Sequence, residues 1–78
     1  MNVNEEILFT FRQGRYWYSA RLITYEHGGM DLVIQTGPKH EQSLADAKAL
    51  LLTRGLTVGG TENVVGPSGM YYTVKEIL

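Results

Sequence analysis

Cysteine is absent from this 78-residue chain. That excludes disulfides, thiolate metal sites and thiol chemistry, and it suits a reducing compartment. No run approaches the roughly 20 apolar residues that a membrane helix needs. The start, Met-Asn-Val-Asn-Glu-Glu, has no basic region leading into an apolar stretch. The expectation is a soluble, cytoplasmic protein. A basic excess is missing too: net charge is −1, which argues against a general nucleic-acid binder.

Catalytic and cofactor signatures are equally sparse. His27 and His40 have no partner at metal-ligand spacing, so solvated loop histidines are expected and no metal site. Gly55-Leu56-Thr57-Val58-Gly59-Gly60-Thr61 lacks the lysine of a phosphate-binding loop. Gly66-Pro67-Ser68-Gly69 lacks a following helix to hold an anion. Ser19 and Ser43 have no basic partner at a recognisable spacing, and no nucleophile elbow occurs. The acids are scattered; Glu5 and Glu6 are adjacent in a strand, where neighbours point to opposite faces. A non-enzymatic protein without a cofactor is expected.

What remains is concentrated. Residues 9–25 hold Phe9, Phe11, Tyr16, Trp17, Tyr18 and Tyr25 out of eight aromatic residues. They also hold Arg12, Arg15 and Arg21, and no acid. Residues 26–78 carry more acids than bases, so a local positive patch sits on a mildly acidic body.

With 44% hydrophobic residues the chain should fold, as one small domain over residues 1–78. Ile7 to Arg12 alternates and reads as a first strand. Gln13-Gly14 is the expected turn and Arg15 to Glu26 the second strand. A two-residue turn there pairs Arg12 with Arg15, Phe11 with Tyr16, Phe9 with Tyr18 and Ile7 with Ala20. Ile7, Phe9, Phe11, Tyr16, Tyr18, Ala20 and Leu22 then form the core face. A three-residue loop, His27-Gly28-Gly29, leads into a third strand, Met30 to Thr36. It pairs Thr24 with Leu32 and Leu22 with Ile34, which brings Met30, Leu32 and Ile34 to the core. Ser43 fits a helix N-cap, with Asp46 favourable in the first turn. Leu44, Ala47, Leu50 and Leu51 make its buried stripe, Ala45 and Leu52 its shoulders, and Gly55 its C-cap. Residues 56–65 extend around Gly59-Gly60, Gly66-Pro67-Ser68-Gly69 turns, and Met70 to Ile77 is the last strand. The expected fold is two-layer α+β. An antiparallel three-stranded meander packs on one helix, and a C-terminal β-hairpin or strand follows (βββαββ).

One helix covers one face of such a sheet. The other carries Arg12, Arg15, Trp17, Arg21, Ile23 and Tyr25, where an open antiparallel face is ordinarily polar. Tryptophan, tyrosine and arginine concentrate at binding hot spots. These six residues are therefore the candidate partner-binding surface. The alternative is that the terminal hairpin covers Trp17, or that a different register places Trp17 in the core. The partner expected is a protein, including a nucleoprotein complex or a second copy. Nucleic acid is the second choice, with arginines on phosphates and rings on bases.

Two resemblances bear on this. The segment Gly14-Arg15-Tyr16-Trp17-Tyr18 and the helix from Ser43 to Leu52 are similar in layout to small DNA-binding domains at the N-termini of some phage integrases. In size, lack of cysteine, mild acidity and strand–strand–strand–helix–strand layout, the whole chain resembles small accessory proteins of phages and other mobile elements. Anti-CRISPR inhibitors are the best-known group of these. Phe9 to Tyr25 and Ser43-Leu44-Ala45-Asp46-Ala47-Lys48 carry that likeness. It implies stoichiometric inhibition of a larger host machine by surface occupation, without chemistry.

Overall fold

A computed structural model describes residues 2–66 and 69–77; the side chains of residues 2, 3 and 60–64 lie outside the described set. The order is β1 (Asn2–Gln13), β2 (Tyr16–Tyr25), β3 (Met30–Ile34), α1 (His40–Leu52), β4 (Leu56–Gly66) and β5 (Gly69–Glu76). All five strands join one antiparallel sheet in the order β1-β2-β3-β5-β4. The fold is α+β with the βββαββ order expected of it. No helix among the described residues is long and apolar enough to cross a membrane.

The first hairpin turns one residue later than the sequence suggests. Gln13 pairs with Tyr16, so the loop is Gly14-Arg15. Gly14 has φ 60°, and among the described residues only glycines take a positive φ. This is the pattern of a type II′ turn with glycine first. Arg12 consequently faces Trp17, Phe11 faces Tyr18 and Phe9 faces Ala20. Each partner moves by two residues, so every side chain keeps its face. The second hairpin shifts likewise. Its three-residue loop is Glu26-His27-Gly28, closed by the Tyr25 N–H donating to the Gly29 carbonyl at 2.8 Å. Gly28 takes φ 93°, and Leu22 pairs with Leu32. β3 ends at Ile34, short of Thr36.

Two register shifts interrupt the β1–β2 ladder, one between Asn2 and Asn4 and one between Ile7 and Phe9, and the second turns over residues expected in the core. The ladder steps from Phe9–Ala20 to Ile7–Arg21, which leaves Leu8 as an extra residue in β1. Leu8 packs against the core. Ile7, expected inside, lies on the face away from the helix and is 60% exposed.

The core sits under α1. Ala20 and Leu22 of β2, Leu32 and Ile34 of β3, and Tyr72 and Val74 of β5 meet Ala47 and Leu51 of the helix. Buried positions of α1 are Ser43, Ala47 and Leu51, spaced by four residues on one face. Two of the three are small, which lets the helix lie close to the sheet. Leu44 packs against this core from the side, whereas Ala45 and Leu52 are exposed.

The helix starts three residues before Ser43, so that residue is not its N-cap. Lys39 holds the cap position, with no side-chain cap hydrogen bond. Ser43 is buried in the first turn, its hydroxyl donating to the Lys39 carbonyl at 2.7 Å. Gly55 takes φ 75° just past the helix, two residues beyond the C-cap, Thr53. β4 pairs regularly with β5 from Leu56 to Val58 and again from Asn63, with a register shift between. That shift follows the expected Gly59-Gly60 interruption. Gly66 pairs with Gly69; Pro67 and Ser68 of the expected turn lie outside the described residues. Any Cβ on Gly69 would fall 2.3 Å from the Ile34 carbonyl oxygen, so β5 can approach the end of β3 only with glycine there.

Candidate functional site

Register assigns Arg12, Trp17, Arg21, Ile23 and Tyr25 to the face away from α1, with Arg15 in the turn at its end. The structure does not keep these six residues together. They fall into three neighbourhoods along β2.

At the hairpin tip, Arg12 lies over Trp17 with its guanidinium carbon 5.7 Å from the ring centroid, within cation–π range. Its Nε donates to the Gly14 carbonyl at 2.8 Å, which holds the stack in place. Trp17 is 40% exposed and Arg15 is exposed beside it. The other side of the tip is also uncovered. Phe11 and Tyr16, expected in the core, are 57% and 44% exposed, because the hairpin runs on past the helix that would have covered them. Phe11 instead lines a small hollow of about 240 Å³ with Gln13, Tyr18, Lys39 and Gln42.

In the middle, the expected surface is not available. Ile23 is only 4% exposed and Val33 beside it is fully buried. Arg21 is tied to Glu5 on β1 by an ion pair and hydrogen bond. Tyr71, opposite Val33 on β5, is itself part-buried. This face thus has a small buried apolar patch of its own, Ile23 and Val33, apart from the cluster under α1.

At the far end, the Tyr25 hydroxyl donates to Asp31 Oδ2 at 2.7 Å, and its ring stacks on His27 at 5.6 Å. Burial, then the hydrogen bond donated to the Asp31 carboxylate, pushes the Tyr25 phenol up to about 12. It stays protonated at neutral pH and acts as a donor, not a nucleophile. Beside it lies an open cleft of about 580 Å³ bordered by His27, Asp31, Lys75 and Glu76. No group of three or more His, Cys, Asp or Glu that could hold a metal ion occurs among the described residues.

The helix side carries polar ties that sequence spacing does not reveal. Tyr18 donates to Asp46 of α1, and that bond, ahead of burial, raises the phenol to about 12. Asp46 therefore serves β2 more than the helix end. Arg54 grips Glu6 through two hydrogen bonds, 3.0 and 2.8 Å. The bond to Arg54 holds the Glu6 carboxyl below its ordinary range. His40 is not a solvated loop residue. It opens α1, is part-buried, and pairs through Nε2 with the Tyr72 hydroxyl at 2.8 Å. Its Nδ1 is buried with no hydrogen-bond partner among the described residues.

The arginines divide sharply. Arg21 and Arg54 on the body have carboxylate partners. Arg12 and Arg15 at the tip have none among the described residues. Counting acids along residues 9–25 identifies that imbalance, but the exposure of Phe11 and Tyr16 has no signal in alternation alone. The chain matches no protein-family model, and no characterised protein or solved structure is similar to it at a significant level.

Proposed function

We propose that this chain is a non-enzymatic binding protein that docks on a protein partner through the tip of the β1–β2 hairpin. One observation carries the reading. Trp17, Tyr16 and Phe11 stand exposed within a few residues of Arg12 and Arg15, the two arginines without carboxylate partners among the described residues. Exposed aromatics beside arginine are the composition of interface hot spots. The Arg12–Trp17 stack presents one flat, pre-ordered element, which lowers the entropy lost on docking. Arg21, Ile23 and Tyr25, further along the same face of β2, anchor the hairpin instead of touching the partner. Resemblance to phage accessory inhibitors extends the reading to a stoichiometric inhibitor that occupies a functional surface of a larger machine.

The test compares capture by the tagged wild-type chain and by Trp17→Ala/Arg15→Ala from native cells, with and without nuclease. Loss of two hot-spot side chains is expected to cost about 2 kcal/mol or more, roughly thirtyfold in affinity. Far-UV circular dichroism should not change, since neither side chain is in the core. A protein retained by wild type, lost by the variant and insensitive to nuclease supports the reading. Equal retention by the variant refutes the site. Loss on nuclease treatment replaces the protein partner with nucleic acid.

A further inference from the structure

Strand β1 borders only β2 in the sheet, so one of its edges is open along its length. At 12 residues it is about twice the usual strand length. Natural edges are commonly protected by proline, lysine, brevity or a bulge. Over residues 4–13, β1 has only the last of these, the bulge at Leu8, which a two-fold pairing centred there accommodates. Residues 4–13, Asn-Glu-Glu-Ile-Leu-Phe-Thr-Phe-Arg-Gln, contain neither proline nor lysine. Ile7 and Phe11 stand exposed on opposite faces of this edge.

We infer that β1 pairs antiparallel with β1 of a second copy of this chain, about a two-fold axis through the bulge at Leu8. Face matching limits the possible registers, because opposed residues in a sheet point to the same side. Asn4 and Glu6 lie on the helix face, and Glu5 and Ile7 on the other. Beyond the bulge the numbering changes phase: Phe9, Phe11 and Gln13 lie on the helix face, Thr10 and Arg12 on the other. One register opposes Asn4 with Gln13, Glu5 with Arg12, Glu6 with Phe11 and Ile7 with Thr10, and every pair agrees in face. It is also the register that matches charge. The adjacent register in one direction sets Arg12 against Ile7. The adjacent register in the other sets Glu5 against Thr10. Both lose the ion pair.

The groups brought together have capacity to spare. Glu5 uses Oε1 for Arg21, and its second oxygen has no partner among the described residues. Arg12 uses only Nε within its own chain, leaving both terminal nitrogens to donate. Phe11 meets the methylene stem of Glu6, whose carboxylate is held by Arg54. Ile7 is covered by Thr10 of the other copy. Like charges are opposed nowhere, and the two five-stranded sheets become one. A two-fold axis normal to the sheet keeps both Trp17 rings on the same side, one strand in from the joint, so that Trp17, Tyr16 and Arg15 stay free while Arg12 and Phe11 are shared with the second copy.

Sedimentation equilibrium up to about 1 mM, the weak end of measurable association, tests this on the intact chain. Wild type should reach twice the 8.7 kDa chain mass. Glu5→Lys alone sets a lysine against Arg12 of the other copy, and Arg12→Glu alone sets a glutamate against Glu5. Each variant should dimerise at least about tenfold more weakly, as two facing pairs turn from attractive to repulsive. Mixed in equal amounts, the two variants should recover a dimer, because the two substituted side chains then face each other with opposite charge. Recovery on mixing cannot come from a folding defect, and thermal melts of each variant provide the control. A wild-type monomer throughout, a dimer indifferent to either reversal, or no recovery on mixing overturns the proposal.

Discussion

Ser43 shows how one residue type can satisfy two different rules. A serine ahead of an apolar stripe with an acid three residues on is a good N-cap pattern. Yet the same small side chain suits a helix position pressed against a sheet, and that is where it sits, 1% exposed. Its hydroxyl bonds a carbonyl that already accepts from the Ser43 N–H at 2.9 Å. Removing it orphans nothing, and such back-bonding slightly disfavours the helix. Ser43→Ala should therefore change stability by no more than about 0.5 kcal/mol, where loss of a cap would cost about 1 kcal/mol. Urea titration followed by circular dichroism decides between the two roles.

At the scale of elements, the hairpin and helix are held together partly by a titratable bond. The Tyr18 phenol has its pKa raised to about 12 by Asp46, above the ordinary value near 10. A group that binds its proton more tightly when folded stabilises the fold fully below its unfolded pKa. That contribution is lost as pH rises through the folded value. The Tyr25–Asp31 bond behaves the same way at the other end of β2. Urea midpoints should thus hold to about pH 10 and then fall toward about pH 12. Tyr18→Phe and Tyr25→Phe should each make that fall shallower, and an equally steep fall in both would refute the assignment. Glu6 has the opposite sign: its lowered pKa stabilises above the ordinary carboxylate range and is lost on acidification. Element order and inward faces are readable in the residues, because each turn differs from its expected place by an even number of pairing steps. The bulge is not readable, because Ile7-Leu8-Phe9 is apolar throughout and alternation has nothing to count. The tip escapes for a different reason. Phe11 and Tyr16 obey the core alternation, but where the helix ends above the sheet depends on the loop before His40, and strand periodicity does not record that.

For the whole molecule, β2, β3, β5 and α1 share one apolar cluster, and Leu32 at its centre is fully buried. A chain of 78 residues has roughly 4–12 kcal/mol of stability in total. Leu32→Ala should remove about 2–5 kcal/mol of it. Because Trp17 reports from the hairpin tip and circular dichroism from α1, their urea transitions should coincide and move together in the variant. Separate transitions would show that the hairpin and helix unfold independently. The extra residue in β1 bears on how this chain can change in length. In a regular strand, losing one residue turns over every side chain beyond the gap. At Leu8 it would not, since Phe9–Ala20 and Ile7–Arg21 are already consecutive rungs of the ladder. A descendant lacking Leu8 would give up its packing and keep every other side chain on its present face, so Leu8 is a position where a deletion need not scramble the sheet.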